Sequence, residues 1–191
     1  GPASHTYFSQ RLRLHYADWG NADAPPLILL HGGEDHCRSW DWVASELQAD
    51  WHVIAPDLRG HGDSQWTADG NYPIMYYVYD LAQLVEQSGA SRPAGRASLS
   101  SATPLHEHWL TWFAEKRTRG PRKHREYDSF EQALQRMHAE NSYLTADQAR
   151  HLCEHAIIRN ENGTYSWKFD PHVRIWPMLD ITPDQMHGLW Q

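Results

Sequence analysis

Cysteine is scarce in this chain, which has only Cys37 and Cys153 among its 191 residues. Two cysteines that lie far apart exclude a disulfide framework and indicate a reducing compartment, so we expect a cytoplasmic protein. Long apolar runs are missing as well, because no stretch approaches the roughly 20 residues that a membrane-spanning helix needs. No signal peptide is recognisable either. The sequence therefore predicts no association with a membrane.

Positive charge is also in short supply. The chain has 17 Lys and Arg residues against 24 Asp and Glu residues, which gives a formal net charge of −7 and a pI near 6.0. A chain with this balance is a poor partner for nucleic acid, and the basic stretch at 117–125 is typical of solvated surface. We expect no nucleic-acid partner and no cofactor.

An ordered series of motifs is present in residues 25–64. The apolar run 27–30 predicts a strand buried on both faces, and it ends at a glycine turn, His31-Gly32-Gly33. A helical pattern over 40–47 leads to a second buried strand at 51–55. That strand ends at the loop Asp57-Leu58-Arg59-Gly60-His61-Gly62-Asp63-Ser64.

The second half of the chain has a different pattern. Residues 73–88 favour a helix that is bounded by Pro73 and Gly89. Residues 89–103 are small, polar and turn-forming, which indicates a linker. Helices are predicted from Pro104 onward, two of them with capping boxes that begin at Ser129 and Thr145. An Asn-Gly turn within 157–170 predicts a short hairpin or an extended flap.

The order of strand, HGG turn, helix, strand and DLRGHGDS loop resembles the α/β-hydrolase fold family, in particular its capped, serine-hydrolase-like members. The resemblance implies an α/β fold with a partial parallel sheet of three to four strands and flanking helices in residues 3–88. A linker at 89–103 and a helical cap region at 104–191 would follow.

The resemblance also implies a site. The HGG turn supplies an N–H group to the oxyanion hole in this family, which assigns that role to Gly33 or Glu34. His31 and His61 are structural positions in the family, where they hold loops together. The remaining residues expected around the pocket come from the turn and from the cap. They are His31, Gly32, Asp35, Trp109, Trp112, Phe113 and Trp167.

The family's nucleophile elbow, GxSxG, is missing from this sequence. Ser64 lies within the DLRGHGDS loop, and Ser98 has neither flanking glycines nor a buried strand before it. The strands that carry the family's catalytic acid and histidine are not recognisable, so the catalytic residues are unknown and no Ser-His-Asp triad is identified. We expect this chain to descend from a hydrolase that acts on small, apolar, ester-like substrates. As written, the chain itself is expected to be inactive or incomplete.

Two alternatives to an enzyme stay open. The first is a non-catalytic module for small-molecule binding or self-association. Without the elbow strand, strand 27–30 becomes a sheet edge, which predicts a homo-oligomer formed by edge pairing or by cap exchange through the linker.

The second alternative is a histidine-rich metal-binding protein. The chain has 14 histidines, and His151 and His155 stand one helical turn apart with Cys153 between them, while His106 and His108 come earlier. Cys153 faces another side of that helix, and no CxxC or HExxH pattern is present. We therefore expect no native metal site.

Overall fold

The computed structural model describes residues 1–89 and 125–175. Its larger sheet has four strands in the order β1–β2–β4–β3. These strands are β1 (Ala3–Ser9), β2 (Leu12–Asp18), β3 (Pro26–Ile28) and β4 (His52–Pro56). With its flanking helices, the sheet confirms the α/β fold class.

The sheet is mixed, not parallel throughout. Only β3 and β4 run parallel, whereas β2 is antiparallel to both β1 and β4. For β1 and β2 the reason lies in the turn between them, where Gln10 and Arg11 both adopt positive φ angles, of 47° and 68°. Two consecutive residues in that region form the tight turn of an antiparallel hairpin.

Strand β3 is shorter and less buried than the run 27–30 suggested. Its pairing with β4 covers Pro26–Ile28, and one further hydrogen bond joins the N–H of Leu29 to the carbonyl of Ile54 at 2.9 Å. Leu30 is 40% exposed. The prediction of a strand buried along its whole length was therefore wrong, because the described residues cover β3 on one edge only.

The helices of residues 1–89, the first described region, flank this sheet. A 3-10 helix at Cys37–Trp40 leads into α1 (Asp41–Leu47). Helix α2 (Ile74–Ser88) begins after Pro73 and ends at Gly89, which has a φ of 72°, as its sequence boundaries predicted. Leu84 of α2 packs into the main core cluster. The other members of that cluster are Tyr7, Leu14, Ile28 and Ile54.

The second region, 125–175, combines helices with a small sheet. Helix α3 (Phe130–Glu140) and helix α4 (Ala146–Ala156) begin at the predicted caps, Ser129 and Thr145. The predicted hairpin is formed by β6 (Ile157–Arg159) and β7 (Tyr165–Trp167). Strand β5 (Glu126–Tyr127) pairs with β7 and completes a three-stranded sheet, and a 3-10 helix follows at Pro171–Arg174. The described part of this region is thus helical and β-stranded, not helical alone.

Several predictions lie outside the described residues. These are the helix from Pro104, most of the linker, Ser98, His106, His108, Trp109, Trp112 and Phe113. The division at 89–103 therefore stays a prediction. Among the described helices, none has the length and apolar character to cross a membrane. Cys37 and Cys153 are both buried and free.

Candidate functional site

A cavity of about 1020 Å³ lies between the turn after β3 and the second region. The turn and the first 3-10 helix contribute its floor, and α3, α4, β5, β7 and the last 3-10 helix contribute the remaining walls. Apolar and aromatic side chains make up about half of the lining. They include Tyr127, Met137, Tyr143, Leu144, Leu152, Trp167 and Phe169.

The structure brings four of the expected site residues together. Gly33, Glu34 and Asp35 line the cavity from the turn, and Trp167 lines it from β7. His31 and Gly32 are not among the residues that line it. The catalytic or binding role of these residues stays a prediction.

The turn holds its backbone open towards the cavity. Glu34 has a positive φ of 64°, which a non-glycine residue rarely adopts. A Cβ atom added at Gly33 would meet no protein atom within 4 Å, because it would point into open space. Within residues 1–89 and 125–175, no acceptor is found for the N–H groups of Gly33 and Glu34. Within that part of the chain, these two backbone donors are therefore available to a ligand oxygen.

The side chains of the turn fix this conformation. Asp35 accepts hydrogen bonds from the N–H of His36, at 2.9 Å, and from the hydroxyl of Ser39. The guanidinium of Arg174, from the last 3-10 helix, donates to both carboxylate oxygens of Glu34. A similar ion pair joins Arg136 to Glu140 on α3. Four of the charged groups in the cavity wall are thus neutralised in pairs.

His31 connects the turn to the loop after β4. Its Nδ1 donates to the carbonyl of Gly32 at 2.6 Å, and its Nε2 accepts from the N–H of Leu58 at 3.0 Å. These two partners define the neutral tautomer. Burial first, and the adjacent His61 second, lower the pKa of His31 to about 4. With both nitrogens engaged, His31 has no lone pair for a ligand in the cavity.

Asp57 organises the loop after β4. Its carboxylate accepts from His15 Nδ1 at 2.7 Å, from the N–H of Cys37 at 2.7 Å and from the N–H of Asp63 at 2.9 Å. Burial by itself would raise the pKa of Asp57, but these hydrogen bonds outweigh it and hold the pKa well below its usual range. Gly62 is required here, because a Cβ atom would lie 2.3 Å from the Asp57 carboxylate.

Arg59 joins the same loop to α2. Its Nε and Nη2 donate to the two carboxylate oxygens of Asp80, at 2.6 and 2.5 Å, and both side chains are buried. A bidentate pair of this kind fixes geometry as well as charge. The DLRGHGDS loop is therefore a scaffold for the turn beside it.

Ser64 is part of that scaffold. Its hydroxyl donates to the carbonyl of Asp57 at 2.6 Å and accepts from the N–H of His15 at 2.9 Å, and the residue is buried. A hydroxyl that is held on both sides in this way does not face the cavity. That Ser64 is not a nucleophile stays a prediction.

A serine–histidine–aspartate chain that sequence reasoning missed lies across the large sheet. Ser4 Oγ is 2.8 Å from Nε2 of His15, whose Nδ1 contacts Asp57. Its residues come from β1, β2 and the end of β4, and no local motif signals their meeting. None of the three lines the cavity, so the chain of hydrogen bonds stabilises the sheet and does not belong to the candidate site.

The wall that carries Trp167 is anchored on the scaffold loop. The hydroxyl of Tyr72 donates to the carboxylate of Asp170 at 2.6 Å, and the N–H of Asp170 donates to the carbonyl of Gly60 at 2.8 Å. Burial and this carboxylate raise the pKa of Tyr72 far above its usual range. Lys168 adds an ion pair with Asp63 at 2.7 Å. The segment that follows β7 is therefore connected to the loop after β4.

Two clusters in the described residues have donor atoms close enough to hold a metal ion. In the first, His15 Nδ1 contacts the Asp57 carboxylate at 2.7 Å and lies 3.9 Å from Cys37 Sγ. Burial raises the pKa of the Cys37 thiol, so this cluster is structural. The second comprises Asp41, His151 and His155, all half-buried. Burial first, and Arg38 second, lower the pKa of His155 to about 4.

Comparison with known proteins gives consistent matches. A family model described as "alpha/beta hydrolase fold" matches residues 25–94. The esterase Rv0045c of Mycobacterium tuberculosis is 30% identical over 178 residues, covering 80% of this chain and 58% of that protein. A serine hydrolase-like protein of Danio rerio is 25% identical over 209 residues, covering 91% of this chain and 64% of that protein. The chain thus spans less than two thirds of the length of either relative.

Solved structures match over almost the whole chain. The match to the structure of the M. tuberculosis esterase covers 99% of this chain and 69% of the esterase chain, with a TM-score of 0.70 and 26% identity. A hypothetical protein of Pseudomonas aeruginosa PAO1 has a TM-score of 0.81 over 97% of this chain and 76% of its own. The second match has 20% identity and concerns the fold alone.

Proposed function

Because this chain belongs to the α/β-hydrolase fold family, we propose that its cavity is an ester-binding cleft with the N–H groups of Gly33 and Glu34 as oxyanion donors. The observation that carries the proposal is the open turn. Two adjacent N–H groups that have no acceptor in the described residues belong to residues that line a cavity of about 1020 Å³. Donors held in place in this way bind a negatively charged oxygen well, since no reorganisation is needed when it arrives.

The cavity lining has an apolar part and a polar part, which suits a substrate that has both. Aromatic and aliphatic side chains, among them Trp167, Phe169 and Leu152, suit a short apolar acyl or alcohol group. The paired charges of Glu34 and Arg174 lie beside the turn, where the polar carbonyl of an ester would sit. Small esters of apolar acids fit this combination.

We expect this chain, as its sequence is printed, to bind such compounds without hydrolysing them. The sequence has no GxSxG elbow to present a serine, and Ser64 is held within the scaffold loop. Oxyanion donors alone accelerate acyl transfer only weakly compared with a full triad. The esterase and serine hydrolase-like relatives support the ester as the class of ligand.

The glycines of the turn provide a matched pair of variants to test the role of the oxyanion donors. An added Cβ meets no protein atom at either Gly32 or Gly33, and neither has a positive φ, so both alanine variants should fold normally. Only Gly33 lines the cavity. We expect hexanoate, a product of ester hydrolysis, to shift the backbone amide NMR signals of Gly33 and Glu34 in the wild-type protein. Gly33→Ala keeps both N–H groups, but its added methyl group should obstruct the approach of the carboxylate to them and weaken hexanoate binding by roughly ten-fold, about the value of one hydrogen bond to a charged group. Gly32→Ala should leave binding unchanged.

Two outcomes would overturn the assignment. One is hexanoate binding that is equally strong in Gly33→Ala and Gly32→Ala. The other is a hexanoate titration of the wild-type protein in which the amide NMR signals of Gly33 and Glu34 do not shift while those of the loop 57–64 do.

A further inference from the structure

Two histidines on α4 lie close to a carboxylate of α1. His151 and His155 are one helical turn apart, so their side chains share one face of the helix. Nε2 of His151 lies 2.8 Å from Oδ2 of Asp41, the first residue of α1. The donor atoms of all three side chains lie within 4.8 Å of one another.

The chemistry of this group matches a small divalent transition metal. Two imidazoles and one carboxylate are ligands that zinc binds readily, whereas magnesium prefers oxygen ligands alone. A tetrahedral zinc ion with bonds of about 2.0–2.1 Å separates its ligand atoms by roughly 3.4 Å, so small side-chain rotations would close the site. The three residues are half-buried, which leaves an approach for the ion and for a water molecule as fourth ligand.

We propose that Asp41, His151 and His155 form a zinc-type metal site that joins α1 to α4. Leu152 and Ala156 of α4 line the cavity, as do His36 and Ser39 from the segment before α1. His36 already connects the two sides, because its Nε2 contacts the carbonyl of Leu152 at 3.1 Å. An ion bound between Asp41 and α4 therefore fixes the two walls of the cavity relative to each other. This inference is independent of which ligand the cavity takes.

The surroundings of the site provide a specific prediction about its affinity. Arg38 donates to both carboxylate oxygens of Asp41, at 2.8 and 2.9 Å, and competes with a metal ion for them. The His36 ring lies 6.3 Å from the His155 ring, and Trp42 packs edge-on against His151 at 4.8 Å. Removal of the Arg38 charge should therefore tighten metal binding, which a merely structural role for these histidines would not produce.

Calorimetric titration with ZnCl₂ tests the site. The chain has 14 histidines, and others among them can also bind zinc, so the number of bound ions does not identify the site. The test therefore compares matched variants. His151→Ala and His155→Ala should weaken the tightest binding step by at least roughly ten-fold, the lower bound for loss of a second-shell partner. His138→Ala, which removes an exposed histidine of α3, should leave that step unchanged. Arg38→Gln should tighten it by roughly five-fold, and MgCl₂ should give no comparable step.

Circular dichroism of each variant establishes that it is folded before titration. The proposal fails if folded His151→Ala and His155→Ala bind zinc as tightly as His138→Ala does. It also fails if Arg38→Gln weakens zinc binding or leaves it unchanged, and this second criterion holds even where a histidine variant does not fold.

Discussion

His31 shows why a histidine in a motif next to a cavity need not be a catalytic base. Both of its nitrogens are used, one to donate to the turn and the other to accept from the loop after β4. Its pKa of about 4 keeps the ring neutral at pH 7. The residue therefore stabilises the position of the turn that carries Gly33 and Glu34.

The lowered pKa of His31 makes stability depend on pH. In the unfolded chain His31 binds a proton near pH 6.5, whereas the folded protein resists protonation until about pH 4. The stabilising contribution is fully present above pH 6.5 and is lost as the pH falls towards 4, by roughly 3 kcal/mol. Burial also lowers the pKa of His36 and of His61, so both add to the loss in the same direction.

Urea unfolding at pH 7 and at pH 4.5 measures this contribution. His31→Gln should be less stable than the wild type at pH 7 by about 1–3 kcal/mol, because its amide replaces the two hydrogen bonds imperfectly. It should then lose less stability than the wild type between the two pH values. The exposed His138→Gln should follow the wild type. An equal loss in His31→Gln and the wild type would assign the pH dependence to other groups.

At the scale of elements, local signals predicted the helices of residues 1–89 and the caps of the second region. Pro73 and Gly89 mark the ends of α2, and Ser129 and Thr145 mark the starts of α3 and α4. These signals act within one helical turn, so they can be read from the sequence without knowledge of distant contacts. Of the HGG turn, Gly33 lines the cavity whereas His31 and Gly32 do not.

Elements that depend on distant pairing were missed. The hairpin of β1 and β2 turns at Gln10 and Arg11, which carry none of the Asn-Gly preference that predicts such a turn. Strand β5 has only two residues and exists through its pairing with β7. The meeting of Asp41 with α4 likewise joins two distant parts of the chain, so the spacing of His151 and His155 gave only half of that cluster.

The position of β3 predicts self-association. Within the part of the chain that the structure describes, β3 pairs with β4 and its other edge has no partner strand. An edge with unpaired backbone groups favours pairing with a second copy. We propose a homodimer or higher assembly, formed at this edge or by exchange of the second region.

Light scattering at low micromolar concentration checks this proposal, with a dimer or larger species expected. Leu30→Lys places a charge just beyond β3, where the native side chain is 40% exposed, and should shift the protein towards monomer. Ile158→Lys, at an exposed position of β6, serves as the control and should not. A wild-type monomer whose unfolding is independent of concentration would contradict edge pairing.

In the whole molecule, the cavity depends on contacts between segments far apart in sequence. Asp170 bonds to the scaffold loop through Tyr72 and Gly60, and Arg174 pairs with Glu34 of the turn. These contacts bring Trp167 and Phe169 to the same cavity as Gly33 and Glu34. The two described regions therefore form a cleft whose walls contain ion pairs and backbone N–H donors. Ser64 is not part of this cleft, because it lies within the loop after β4.

Intact-mass spectrometry after exposure to a fluorophosphonate probe tests the central claim, that this cleft binds ester-like ligands but presents no serine nucleophile to them. We predict that the mass stays at 22.2 kDa, because no serine of the sequence lies in an elbow and Ser64 is hydrogen-bonded on both sides. Stoichiometric labelling of Ser64 or Ser98 would contradict the account, since it would demonstrate an activated serine outside the GxSxG pattern.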